Sequence, residues 1–267
     1  MARNLKNLVK LVNQVTTEMP IEQSFLHDLK RSIELTDNKN RKPGSKTYKP
    51  SSMHCIRQMA YIVLGKPIDD TGSSYMGIGI CNAGTDIHQR IQQAVLDMKN
   101  NGMDCEYLDV ADYVKRRGLE HLEITKLPNF KKGDYETKLY HKDLNMSFLC
   151  DGIIKYQGKY YILELKTENA NKFYNRNNVD ESHFNQATAY SIAFELRDVL
   201  FVYINRDTLD MKSFMFTPTD DMKQDLIGLI SNCDGYVKKL KIPPKPINVS
   251  KKACEYCNYK TQCRKDG

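Results

Sequence analysis

The sequence predicts a mixed α/β fold, a central mixed sheet flanked by helices, and three observations carry that expectation. Two β-rich runs in residues 146–168 meet at Gln157-Gly158, a residue pair suited to a two-residue hairpin turn. Residues 199–205, VLFVYIN, form an apolar strand after a helix expected from about Ser182 to Leu196. Ahead of both, Thr85 to Met98 places Ile87, Ile91, Ala94, Val95 and Met98 on one helical stripe. With a strand over 135–143, the order is helix, three antiparallel strands in a row, helix, strand, around one sheet.

The remaining elements follow in chain order. Residues 2–17 and 21–35 read as an amphipathic helical pair broken at Pro20, with Leu5, Leu8, Leu11, Val12 and Val15 and then Ile21, Phe25, Leu29, Ile33 and Leu35 at helical spacing. From Asp37 to Pro50 the composition turns to Asn, Lys, Pro, Gly and Ser, a basic loop that divides an N-terminal helical segment, 1–47, from a main domain, 48–267. Ser51 or Ser52 is placed to cap a helix to about Leu64, with Cys55, Arg57 and Tyr61 on its early turns. Residues 72–82 are glycine-rich and expected to be a loop; their GxGxC lacks the rest of a phosphate-binding signature. Residues 106–127 alternate weakly, enough for a short helix and a strand. An Asn-rich loop covers 169–180, a helix 218–240, and a Pro-rich joint at Ile242 to Pro246 leads into a basic cysteine module.

Counting outward from Gln157-Gly158 pairs Tyr156 with Lys159 and Ile153 with Ile162, and puts Glu164 opposite Asp151 with Cβ atoms roughly 5 Å apart. Lys166 falls on their face, and Ile154, Tyr156, Tyr161, Leu163 and Leu165 fall on the other, the core face. Two carboxylates so close repel unless a proton or a cation intervenes. Magnesium or manganese would be held by them, with the Leu165 carbonyl as a further oxygen, and Lys166 would orient a bound water. An exposed hairpin with an Asp–Lys ion pair is the rival interpretation of these three residues alone.

Forty basic and thirty-three acidic residues leave a formal charge of +7, which suits a polyanionic partner. Basic segments at 39–49, 237–245 and 251–265 could track a phosphate backbone, and Tyr61 or Tyr174 could stack on bases. No apolar run approaches a membrane span, and the first ten residues lack the apolar stretch of a signal peptide, so a soluble intracellular protein is expected. Of eight cysteines, three cluster as Cys254-x2-Cys257-x5-Cys263, and Cys55 is the candidate fourth ligand of a tetrahedral or cubane site. Such a clasp would close a loop of about 200 residues and stabilise the fold by roughly 4–5 kcal/mol. Cys81, Cys105, Cys150 and Cys233 have no such spacing and are expected to be packed thiols. Gln186 and Tyr190, four apart on the helix after the hairpin, share a face, and His88 lies one step off its helix's apolar stripe.

Taken together, Cys55, His88, Asp151, Glu164-Leu165-Lys166, Gln186, Tyr190 and Cys254, Cys257 and Cys263 resemble the motif set of the PD-(D/E)XK nuclease superfamily, and within it the RecB-like iron–sulfur exonucleases of CRISPR-associated and phage type, similar also to the AddB nuclease domain. The resemblance runs from about residue 48 to the C-terminus. It implies a restriction-endonuclease-like core with a C-terminal iron–sulfur module, bound by Cys55, Cys254, Cys257 and Cys263 as a [4Fe–4S] cluster. It further implies Mg2+ or Mn2+ on His88, Asp151, Glu164 and the Leu165 carbonyl, catalysis by those groups with Lys166, and Gln186 and Tyr190 steadying the substrate. The activity implied is exonucleolytic cleavage of single-stranded DNA in the cytoplasm of a bacterium or phage-infected cell. Two rival functions share these residues: a catalytically vestigial DNA-binding or partner-docking protein, and a structure-specific endonuclease. The helical preface is available for a protein partner, and homo-oligomerisation is left open. Phe148-Leu149-Cys150 replaces a glycine common before the aspartate in that family.

Overall fold

In a computed structural model, which describes residues 20–40, 44–69, 74–247 and 249–267, the hairpin turn organises the main sheet. Gln157 and Gly158 both take positive φ, 49° and 77°, the pairing a type I′ turn requires. The strands on either side keep the counted register, from Tyr156 opposite Lys159 to Gly152 opposite Leu163.

The described elements are α1 (Ile21–Asn40), α2 (Ile56–Val63), α3 (Tyr75–Asp97), β1 (Cys105–Leu108), α4 (Val110–Arg117), β2 (Leu122–Lys126), β3 (Thr137–His141), β4 (Met146–Cys150), β5 (Gly152–Tyr156), β6 (Lys159–Glu168), α5 (Ala170–Tyr174), α6 (Phe184–Phe194), β7 (Val199–Asn205), β8 (Met211–Phe216), α7 (Asp220–Lys238), α8 (Lys251–Glu255) and α9 (Lys260–Lys265). They form two sheets, not one. Five strands run in the order β1-β5-β6-β7-β8 and three in the order β2-β3-β4. Only β6 and β7 are parallel, and the crossover that parallel neighbours need is supplied by α5 and α6.

The chain does not run three antiparallel strands in a row. Residues 146–156, expected as one strand, break at Asp151: β4 pairs with β3 in the small sheet and β5 with β6 in the large one. The break is stabilised locally. The Asp151 carbonyl, lost to either ladder, accepts from Tyr107 Oη at 2.6 Å and from Gln92 Nε2 at 2.8 Å. Gly152 permits this, because a Cβ there would meet the Tyr107 ring at 2.6 Å.

Both faces of the large sheet are buried, so the core is not confined to the Ile154–Leu165 side. Ile153, Ile162, Phe201 and Tyr203 pack with Ala189, Tyr190 and Phe194 of α6 and with Leu226 and Ile230 of α7. On the reverse, Ile154, Leu163, Leu165 and Ile204 meet Ile87, Ile91 and Val95 of α3. Tyr156, assigned to that core, is 37% exposed at the hairpin tip.

Other boundaries move for physical reasons. The glycine-rich 75–82 segment is helical, the first turns of α3, which starts ten residues before the expected Thr85. Strand β8 was not expected, because as an edge strand with alternating partial burial it carries little apolar signal. At the start of helix α2 the N-cap position belongs to Cys55, in extended conformation and with no side-chain cap bond, rather than to Ser51 or Ser52, which lie in a short 3-10 turn. Cys81 is exposed, against the expectation of a packed thiol, whereas Cys105, Cys150 and Cys233 are buried.

The described residues divide into two units, 20–40 with 74–80, and 44–69 with 81–267. In the first, the Tyr75 N–H donates to Glu34 Oε1 at 2.9 Å and Lys30 lies over the Tyr75 ring. Helix α1 buries none of its residues, and its apolar stripe, Phe25 at 66% exposure among it, faces outward. The helix expected over 2–17 lies outside the described residues. No helix among the described residues is long and apolar enough to cross a membrane.

Candidate metal centre and thiol cavity

Asp151 sits where the two sheets exchange the chain, and both ladders point to it. Extending the register of β5 and β6 by one residue puts Glu164 beside it; extending that of β3 and β4, where Thr137 faces Cys150, puts Glu136 on its other side. Helix α3 supplies His88 from the face that packs on β6. One ligand atom each from His88, Glu136 and Asp151 lies within 4.8 Å of the others, a group able to hold a metal ion. Asp151 Oδ1 is 3.6 Å from His88 Nδ1, an ion-pair distance too long for a hydrogen bond. Its Oδ2 accepts the Leu165 N–H at 2.7 Å, which fixes the carboxylate plane.

Glu164 and Lys166 form the second half of the site. Lys166 Nζ donates to Glu164 Oε1 at 2.6 Å and to Gln186 Oε1 at 2.9 Å. The Gln186 Nε2 amide donates to the same Glu164 oxygen at 2.8 Å and to Tyr190 Oη at 2.9 Å, and Tyr190 donates to the Leu149 carbonyl. Gln186 and Tyr190 are thus buried against the sheet, holding Glu164 and Lys166 in place, rather than offering an amide and a phenol to a nucleic-acid strand. Both bonds to Glu164 fall on Oε1, so Oε2 is the oxygen left to a cation.

The electrostatics record crowded charge. Burial, then the Asp151 charge, pushes the Glu136 carboxyl up to about 7. Burial likewise raises Glu164 against the pull of Lys166, with Asp151 adding to the rise. For His88, burial alone would lower the imidazole, but Asp151 and Glu164 outweigh it and the net shift is upward. Glu136, Asp151 and His88 in that state, with Glu164 buried beside them, favour a cation among them.

Glu136 was absent from the sequence expectations. A signal for it is present: the register set by the 142–145 turn, like that set by Gln157-Gly158, places Glu136 opposite Asp151. Residues 146–156 alternate like one uninterrupted strand, which hides it.

The second constellation is a cavity of about 790 Å³ lined by Cys55, Cys254, Cys257 and Cys263 together. Burial raises the thiols of Cys55 and Cys257, and the neighbouring cysteines reinforce the rise in each. Four thiols around one cavity suit either a zinc ion or an iron–sulfur cluster, and ligand type alone does not separate the two. Tyr61, expected as a base-stacking residue, is instead 1% exposed beneath this cavity, donating to Asp266 and packed on Tyr259. Tyr174 is exposed on α5.

No protein-family model matches the chain, and no curated protein matches its sequence. Among solved structures it is similar to the crystal structure of SSO0001, at 15% identity over 89% of this chain and 96% of that one, with a TM-score of 0.43. It is also similar to an alkaline exonuclease, LHK-Exo, from Laribacter hongkongensis, at 11% identity over 74% of this chain and 90% of that one, TM-score 0.39. The same exonuclease in complex with dAMP matches at 11% identity over 73% of this chain and 89% of that one, TM-score 0.38. Likenesses this distant carry no weight for fold or activity, which rest on the side chains described above.

Proposed function

We propose that this chain is a divalent-metal-dependent nuclease that hydrolyses DNA phosphodiester bonds, acting as an exonuclease on single strands, in the manner of the RecB-like PD-(D/E)XK enzymes it resembles. The observation that supports this is the convergence of His88, Glu136 and Asp151 beside a lysine held by Glu164 and Gln186. His88, Glu136 and Asp151 would hold Mg2+ or Mn2+, with Glu164 and the Leu165 carbonyl completing the oxygen set. When bound, the cation supplies Lewis-acid polarisation and offsets charge on the scissile phosphate. The Lys166 side chain is partly open to solvent, and its ammonium would orient the attacking water and stabilise charge on the phosphoryl oxygens. Gln186 and Tyr190 position that lysine. Cys55, Cys254, Cys257 and Cys263 would hold a structural [4Fe–4S] cluster, a reading supported by their lining one cavity together.

End-labelled single- and double-stranded DNA, with and without Mg2+ or Mn2+, tests the activity. Asp151→Asn and Lys166→Ala should each lower cleavage by at least about 10²-fold while DNA binding persists. Wild-type rates in either variant, or cleavage that survives chelation, would refute the assignment.

A further inference from the structure

Arg57 is buried and lines the thiol cavity, and each of its three nitrogens donates a hydrogen bond there or beside it. It stands two residues after Cys55, in the first turn of α2, and reaches the opposite end of the chain. Nε donates to the Pro243 carbonyl at 2.9 Å; Nη1 donates to the Cys263 carbonyl at 3.2 Å and to the Cys263 Sγ at 3.5 Å; Nη1 and Nη2 both donate to the Gly267 main-chain oxygen at 3.1 Å. Among the described residues no aspartate or glutamate forms an ion pair with it, though the exposed Asp266 carboxylate lies close enough to feel its charge. An always-charged group this deeply buried, with main-chain oxygens and a sulfur for partners, is costly unless negative charge gathers beside it. Four cysteinates around one metal group are such charge.

We infer that Arg57 is the positioning and charge-tuning residue of the four-thiol centre: its planar fork fixes Cys263 relative to Cys55, and its charge withdraws electron density from the Cys263 sulfur. Hydrogen bonds to ligand sulfur and nearby positive charge stabilise the more negative, reduced state of an iron–sulfur group, and so raise its reduction potential. Lysine would keep the charge but not the fork, since one ammonium cannot match the Nε, Nη1 and Nη2 geometry. Glutamine would keep part of the hydrogen bonding and lose the charge.

This inference rests on the cluster proposed above, and anaerobically purified full-length protein separates the two. Wild-type protein that folds but contains no iron or sulfide removes the cluster, and Arg57's role with it, before any substitution is made. With iron present, Arg57→Gln is expected to shift the potential to more negative values in an EPR-monitored redox titration. Arg57→Lys is expected to restore most of that shift yet lose iron to a chelator several-fold faster than wild type. A wild-type potential in Arg57→Gln overturns the tuning role. A wild-type rate of iron loss in Arg57→Lys overturns the positioning role, and this arm stands even if the glutamine variant fails to fold.

Discussion

The carboxylate centre and the thiol cavity are built in opposite ways. The first gathers Glu136, Asp151 and Glu164 from in and beside strands that follow one another in the chain, with His88 from a helix packed on the same sheet, and Asp151 and Glu164 are held by short internal hydrogen bonds. The second joins Cys55 to cysteines about 200 residues later through two short helices, with Arg57 and Tyr61 as the cross-ties. Strand pairing positions the carboxylates whether or not a cation is present, and their mutual repulsion makes the empty site a store of unfavourable charge. The cavity joins segments about 200 residues apart, so a group bound there would contribute to holding the fold closed. One site is shaped by the fold around it; the other would, once occupied, help to shape the fold.

Four measurements bear on that contrast, in decreasing order of effect. Removing the clasp with Cys254→Ser and Cys257→Ser together should lower unfolding stability by several kcal/mol, up to the roughly 4–5 kcal/mol of the closed loop, seen as an earlier denaturant midpoint. A midpoint equal to wild type would make the cavity as passive as the carboxylate centre. Asp151→Asn should do the reverse, abolishing cleavage while leaving thermal stability equal or higher, because the amide still accepts from Leu165 and a repelling charge is gone. A marked fall in melting temperature would mean that Asp151 is structural.

Glu136→Gln separates the two carboxylate neighbours of Asp151. Mn2+ affinity by calorimetry should fall about tenfold or more with the fold intact, and an unchanged isotherm would leave Glu136 out of the ligand set. The smallest effect belongs to neither centre. Burial, with His121 next to it, lowers His141 to about 4, and its Nδ1 has no partner. The unfolded chain takes up that proton near pH 6.5, so the stability this neutral histidine contributes is complete above that pH and is lost as pH falls toward 4, by about 1.4 kcal/mol per pH unit. His141→Gln should flatten that slope in denaturant titrations at pH 4.5 and 7. An undiminished slope would assign the acid sensitivity to His183, which burial likewise lowers, because the raised carboxyls of Glu136 and Glu164 gain stability as pH falls.

Much of this was legible before any coordinates. The Gln157-Gly158 turn specified its own register, because a two-residue loop with two positive φ angles admits one pairing, and that register brought Asp151 toward Glu164. The apolar run 199–205 is strand β7 to the residue, and the 3.6-residue stripe of 85–98 is the part of α3 that packs on the sheet. The spacing of Cys254, Cys257 and Cys263 and the candidacy of Cys55 were also visible in the chain. The strand break at Asp151 was not, because residues 146–156 alternate well enough to look continuous, and the donors that cap the break, Gln92 and Tyr107, come from other elements.

Local periodicity and turn chemistry, which act over a few residues, are thus what the amino-acid order alone determined: the hairpin, its register, most helices and the identity of the charged groups on β6. Tertiary structure decided what depends on groups far apart in the chain meeting: the split into two sheets, Glu136 beside Asp151, the burial of Gln186 and Tyr190 as supports for Lys166, and Arg57 against Cys263. Pairing rules propagate outward from a turn, whereas a contact between distant segments depends on how every intervening element packs.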